Sequence, residues 1–245
     1  MHKEPPRVGL IACEIFFREV AYFAARSPEV LDIVFLPKGL HDLGGAKMRE
    51  RLQVEIDRLN EKDYSKILLA YALCNNGTAG LTTRRTPVVI PRAHDCITLF
   101  LGSRQRYGEY FFNHPGTYFH TTGWLERGKG EAQAFGSQPG VESSLEAFIE
   151  KYGEENGRYL WKMLDPLKHY HKIAYIHLSL SGLPDLRKQS QAMAQERGWQ
   201  WEQLEGDSRL LERLICGPQD EEDFLVLHPG ATIVPTHNAK VIDKG

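Results

Sequence analysis

Short apolar runs alternate with stretches whose apolar residues recur at helical spacing, and this alternation limits the fold more than any other feature. Arg7 to Ala12 is a continuous apolar run ending at Cys13, the pattern of a strand buried on both faces of a parallel sheet. Glu14 to Ala25 carries Ile15, Phe16, Val20, Tyr22 and Phe23 on a helical stripe stopped by Ser27-Pro28. Leu31 to Leu36 then reads as a second strand. Ala46 to Asn60 reads as an amphipathic helix with Met48, Leu52, Ile56 and Leu59 on one face. Third and fourth strands follow at Lys66–Tyr71 and Pro87–Ile90, and another helix begins over Ile97–Leu101. Later strands are expected at Thr117–Thr121, Ile173–Leu178 and Phe224–Leu227. Helices are expected near Leu145–Tyr152, Arg158–Leu164, Leu186–Arg197 and Arg209–Ile215. Such an order predicts an α/β fold with a mostly parallel sheet and helices on both faces.

With 245 residues the chain suits one α/β domain over 1–245. Two α/β sub-lobes, 1–127 and 141–245, are an alternative within it, joined by the Gly-, Ser- and Gln-rich stretch from Gly128 to Gly140. Lys plus Arg number 30 against 32 Asp plus Glu, so no basic surface points to nucleic acid or to an acidic membrane. The N-terminus lacks the features of a secretory signal, and no run approaches the ~18 apolar residues of a spanning helix, so a cytoplasmic protein is expected. Structural disulfides are not expected in such a compartment. The four cysteines, Cys13, Cys74, Cys96 and Cys216, are therefore either buried hydrophobes or chemistry.

Cys13 follows the first strand, Cys74 lies a few residues past the third, and Cys96 lies a few past the fourth. In a parallel sheet all three project from the carboxyl edge, where open α/β sheets bind ligands. Three thiolates suit an iron–sulfur cluster or zinc and leave one position open for a small-molecule substrate. Ligands drawn from separate loops around a crevice tilt that choice toward the cluster. The competing reading is three inert core cysteines, since no compact C-x₂-C is present. Cys216, in Leu214-Ile215-Cys216-Gly217, reads as core.

The two loops add candidates. Asn75, Asn76, Gly77 and Gly80 form a small-residue turn whose backbone N–H groups could approach a cofactor or anion, or simply a tight turn. Pro91-Arg92-Ala93-His94-Asp95-Cys96 gathers a cation, an imidazole, a carboxylate and a thiol. His94 reads as a general acid or ligand, Asp95 as its orienting carboxylate or a helix N-cap, and Arg92 as an anion partner or a structural anchor. The aromatic segment His114 to Trp124 reads as a pocket wall or a packed strand. His169-x-His171 lacks a third ligand nearby, and Ser179-Leu180-Ser181-Gly182 is not a nucleophile elbow.

Several blocks together resemble the prokaryotic family DUF1638: Cys13, Tyr71-Ala72-Leu73-Cys74-Asn75-Asn76-Gly77 with Ala79-Gly80-Leu81, Pro91 to Ile97, Leu101-Gly102-Ser103, Tyr107, Pro115-Gly116-Thr117-Tyr118 and Gly123-Trp124. The resemblance implies that Cys13, Cys74 and Cys96 share one site and that Cys216 lies outside it. It also implies proximity to corrinoid methyltransferase systems and one-carbon metabolism, an association rather than a mechanism. The expected function is a metal- or iron–sulfur-dependent protein acting on a small molecule, a lyase or transferase if it is an enzyme. The alternatives are a metal-, cluster- or corrinoid-handling accessory protein, and a small-molecule binder with structural cysteines.

Overall fold

The computed structural model describes residues 5–127, 145–164 and 167–245, so the expected loop from Gly128 to Gly140 lies outside the described residues. Strands β1 (Arg7–Cys13), β2 (Val30–Leu36), β3 (Ile67–Ala70) and β4 (Val88–Pro91) run parallel, and β8 (Phe224–Leu227) pairs antiparallel with β4. The order across this sheet is β2-β1-β3-β4-β8. A second sheet, wholly parallel, joins β5 (Thr117–His120), β6 (Lys172–His177) and β7 (Gln200–Glu205) in that order. β9 (Ile233–Pro235) and β10 (Ile242–Lys244) form a separate antiparallel pair.

Helices α1 (Phe17–Ala24), α2 (Gly45–Asn60), α3 (Cys96–Leu101), α4 (Arg104–Asn113) and α5 (Thr122–Glu126) precede the undescribed segment. After it come α6 (Leu145–Tyr152), α7 (Glu154–Leu164), α8 (Arg187–Arg197) and α9 (Arg209–Cys216). From Val8 to Cys13 every residue of β1 is buried, which requires cover on both faces of its sheet. α2 supplies part of that cover through Met48, Leu52, Ile56 and Leu59, whose spacing keeps them on one side of the helix. α9 packs against α1, β3 and β4 and buries Leu210, Leu211, Leu214 and Ile215. Each such side chain contributes roughly 1.5–3 kcal/mol when removed from water.

The strand order places a topological switch at β1, because the chain leaves it on one side toward β2 and returns on the other as β3. A crevice opens at the carboxyl ends of these strands. The second sheet closes on it through α5: a Cβ at Gly123 would lie 1.7 Å from the Ile15 carbonyl oxygen, so only glycine permits this backbone approach. Arg18 forms an ion pair with Glu126 across the same contact, at 2.6 Å.

Several elements differ from the sequence reading. The helix expected from Glu14 starts as a 3₁₀ turn over Glu14–Phe16, and a second such turn, Lys38–Leu43, follows β2. β7 escaped notice because its sequence, Gln-Trp-Glu-Gln-Leu-Glu, is polar at most positions and forms a half-exposed sheet edge. α4 was hidden by a weak apolar stripe; it is set by the Ser103 cap, whose hydroxyl accepts from the Arg106 N–H.

Candidate metal centre

Each of the four parallel strands of the first sheet delivers one potential metal ligand at its carboxyl end. Cys13 ends β1, His41 lies in the 3₁₀ turn after β2, Cys74 follows β3, and Cys96 opens α3 after β4. The ligand atoms of His41, Cys74 and Cys96 all lie within 4.8 Å of one another. The Cys74 and Cys96 sulfurs are 3.5 Å apart, and Cys13 Sγ stands beside the group, 3.9 Å from His41 Nε2. All four cysteines are free thiols.

Local backbone chemistry fixes these positions. Beyond the ends of β3 and β4 the two chains continue to pair, with the Leu73 N–H donating to the Ala93 carbonyl and the Cys74 N–H to the His94 carbonyl. Asp95 caps α3 by accepting from the Ile97 N–H at 2.9 Å, which sets Cys96 as its first helical residue. Cys74, Asn75 and Asn76 adopt φ of 44°, 56° and 63°, three successive left-handed residues. Asparagine tolerates this conformation, whereas a cysteine there costs about 1–2 kcal/mol. Strain of this kind persists where the surroundings over-determine it, and it falls here on a sulfur of the cluster.

Without a metal the group is held neutral. Burial holds the His41 imidazole below its usual range, leaving it uncharged at neutral pH. Burial pushes the Cys13 thiol up to about 12. Cys96 is raised well above an ordinary thiol, first by its contact with Cys74 and then by burial. A divalent ion reverses that balance, because a coordinating thiol is deprotonated. Tyr71 lies behind the group, its ring stacked on His41 at 6.4 Å between centroids. Its buried hydroxyl makes no well-formed hydrogen bond among the described residues and meets the Cys13 thiol, a weak acceptor. The phenol is held well above its usual range by burial and then by the neighbouring Cys13, Cys96 and Cys74.

The cluster forms one wall of a cleft of about 420 Å³. Asn75, Asp95, Ile15 and Ile97 also line it, as do Tyr118 and Phe119 of β5, Trp124 of α5 and Tyr170 just before β6. Tyr118 meets Tyr170 edge-on at 5.2 Å and Trp124 at 6.4 Å. Lys38 lies 4.2 Å above the Trp124 ring and donates to its carbonyl, tying the His41 turn to this wall.

The sequence profile of the family described as a protein of unknown function, DUF1638, matches residues 35–215, well over half of the chain. The chain belongs to the DUF1638 family. The matched span of this DUF1638 protein contains His41, Cys74 and Cys96, while Cys13 precedes it. Comparison with curated proteins and with solved structures gives no match.

The remaining residues singled out in the sequence are dispersed. Within the DUF1638 protein, Asp95 lines the cleft, with the Tyr107 hydroxyl also donating to it; burial raises its carboxyl against those hydrogen bonds. The exposed His94 faces a different groove with Ser103 and Arg104. Arg92 is buried on another side, donating to the carbonyls of Glu221, Phe224 and Ile242, so its guanidinium anchors the β8–β10 region. Asn75 lines the cleft, but the exposed Asn76 does not border it. Gly77 packs on Met48, and Gly80 borders a groove along α2. Cys216 sits at the end of α9 with its sulfur toward the Phe23 carbonyl, 3.6 Å away. Of the aromatic segment, Thr117, Tyr118, Phe119 and Trp124 wall the cleft.

His41 was missed by sequence reading. A signal existed: the edge argument that selected the three cysteines applies equally to the connection after β2. A lone histidine five residues beyond the strand, however, carries no spacing motif.

Proposed function

We propose that this DUF1638 protein is a metal-dependent protein in which His41, Cys74 and Cys96 hold a single zinc ion whose remaining position faces a small molecule in the cleft. The observation that carries this reading is the mutual approach of the three ligand atoms within 4.8 Å. Around one tetrahedral ion, with sulfur at about 2.3 Å and nitrogen at about 2.0 Å, sulfurs stand roughly 3.8 Å apart and a sulfur and a nitrogen about 3.6 Å apart. The 3.5 Å Cys74–Cys96 separation is an edge of that size. A cubane iron–sulfur cluster binds each cysteine to a different iron and would spread them further, so one ion fits better. Cys13 stands beside the group, 3.9 Å from His41, and is not one of its three ligands.

Bound zinc supplies Lewis acidity and lowers the pKa of a coordinated donor. The chain's own residues do the rest. Tyr71 offers a hydroxyl to the thiolates, the second sheet excludes water with aromatic rings, and Asp95 holds α3 in place. The test is metal content of the full chain after reconstitution with zinc and desalting. One equivalent is expected, falling to none in Cys74→Ala and Cys96→Ala and kept in Cys216→Ala. Equal retention by all variants, or no zinc in the parent protein, would overturn the reading. Stable zinc with no turnover of any small molecule would instead favour the accessory role.

A further inference from the structure

We infer that the cleft over the metal centre takes a small, uncharged organic thiol, bound through its sulfur with its carbon body against the aromatic wall. The inference rests on the zinc reading and adds the chemical class of the ligand. Two thiolate donors favour a soft third partner, and sulfur is the softest donor common in small metabolites. The cleft, about 420 Å³, accommodates a molecule of modest size. Its lining includes Tyr118, Phe119, Trp124 and Tyr170, which suit an apolar or aromatic body.

Charge narrows the class further. No lysine or arginine borders the cleft among the described residues, so a carboxylate, sulfonate or phosphate tail meets no cation there. Lys38 is committed to the Trp124 ring and carbonyl. Asp95 adds a carboxyl group to the lining, which an anionic tail would have to approach. On binding, the thiol S–H proton passes to solvent and the sulfur lone pair forms the bond to the metal. Nothing is oxidised or reduced.

The test uses the full chain loaded with cobalt(II), whose sulfur-to-metal charge-transfer absorption reports each added thiolate. Benzyl mercaptan, 3-mercaptopropionate and benzyl alcohol are titrated separately. Benzyl mercaptan should raise the absorption saturably and bind at least about tenfold more tightly than 3-mercaptopropionate, with no response to benzyl alcohol. Trp124→Ala should weaken benzyl mercaptan several-fold at unchanged cobalt stoichiometry. Stoichiometric cobalt whose spectrum ignores both thiols, or an equal preference for the anionic thiol, would overturn this inference and leave the metal site standing. A chain that binds no cobalt would overturn both.

Discussion

The sulfur of Cys74 lies 3.5 Å from that of Cys96, although 22 positions separate them and the Cys74 backbone must be held at φ 44° to bring them together. Strain and proximity therefore coincide on one residue. Replacing Cys74 separates the two effects. Cys74→Ala and Cys74→Gly should both abolish zinc binding, yet the glycine variant should be more stable than the alanine variant by about 1 kcal/mol, because glycine adopts the left-handed region freely. Urea unfolding of the two metal-free variants measures the difference. Equal midpoints would show that the left-handed turn carries no strain.

His41 and Cys13 should behave differently. His41→Ala removes a member of the three-atom group and should weaken zinc binding by at least about tenfold. Cys13→Ala removes only the neighbour of His41 and should leave one zinc bound. Competition with a colorimetric chelator reads both affinities. A Cys13 variant as weak as the His41 variant would make Cys13 a primary ligand.

Tyr71 offers a test of coupling between the ligands and the core. In the metal-free protein its buried hydroxyl meets at best the Cys13 thiol, a weak acceptor, and thiolates formed on metal binding give it stronger ones. Tyr71→Phe should therefore raise the melting temperature of the metal-free protein while shrinking the further rise produced by zinc. Differential scanning calorimetry with and without zinc separates the two. An unchanged zinc increment would contradict the coupling.

Away from the centre, Glu19 should supply a falling component to the pH dependence of stability, opposed below the ordinary imidazole range by the buried His120, whose pKa burial lowers to about 4. It is buried in α1, and its carboxyl is raised to about 7 by burial, with neighbouring Glu126 adding to the effect. Between the ordinary carboxylate range and about pH 7 the unfolded chain has lost this proton while the folded chain keeps it. Stability from this group therefore falls as pH rises through that window, by up to about 3 kcal/mol, and levels off above it. Relative to the parent, Glu19→Gln should gain stability as pH rises from 5 to 8 in chemical denaturation. A variant that retains the same slope would locate the titration elsewhere.

Gly123→Ala should disturb the cleft from its far wall. The added methyl meets the Ile15 carbonyl at 1.7 Å and must push α5 away from the loop that follows Cys13. A loss of about 2–3 kcal/mol is expected, typical of an overpacked contact. Thermal unfolding provides the check, and a neutral substitution would mean that α5 is not seated as described.

Much of the fold was legible because the core strands are short apolar runs and α2 and α9 carry clear stripes; both patterns follow directly from burial. The polar edge strand β7 and the short helix α5 lack such patterns, and their positions depend on tertiary contacts such as Gly123 against Ile15. At the site, strand-end topology pointed to Cys74 and Cys96 but not to His41, whose role comes from a 3₁₀ turn that sequence does not announce. Arg92 and His94 were drawn in by their nearness to Cys96 in sequence. The strand ends at Pro91 and a helix opens at Cys96, so the turn between them sends these two side chains to other surfaces.

X-ray absorption at the zinc edge of the reconstituted protein addresses the central claim most directly. Two sulfur scatterers at about 2.3 Å with a nitrogen of imidazole type at about 2.0 Å are expected, and a further sulfur should enter when an added thiol fills the open position. A shell of oxygen and nitrogen alone, or a zinc spectrum unaltered in Cys74→Ala, would contradict the assignment of this cluster as the metal centre.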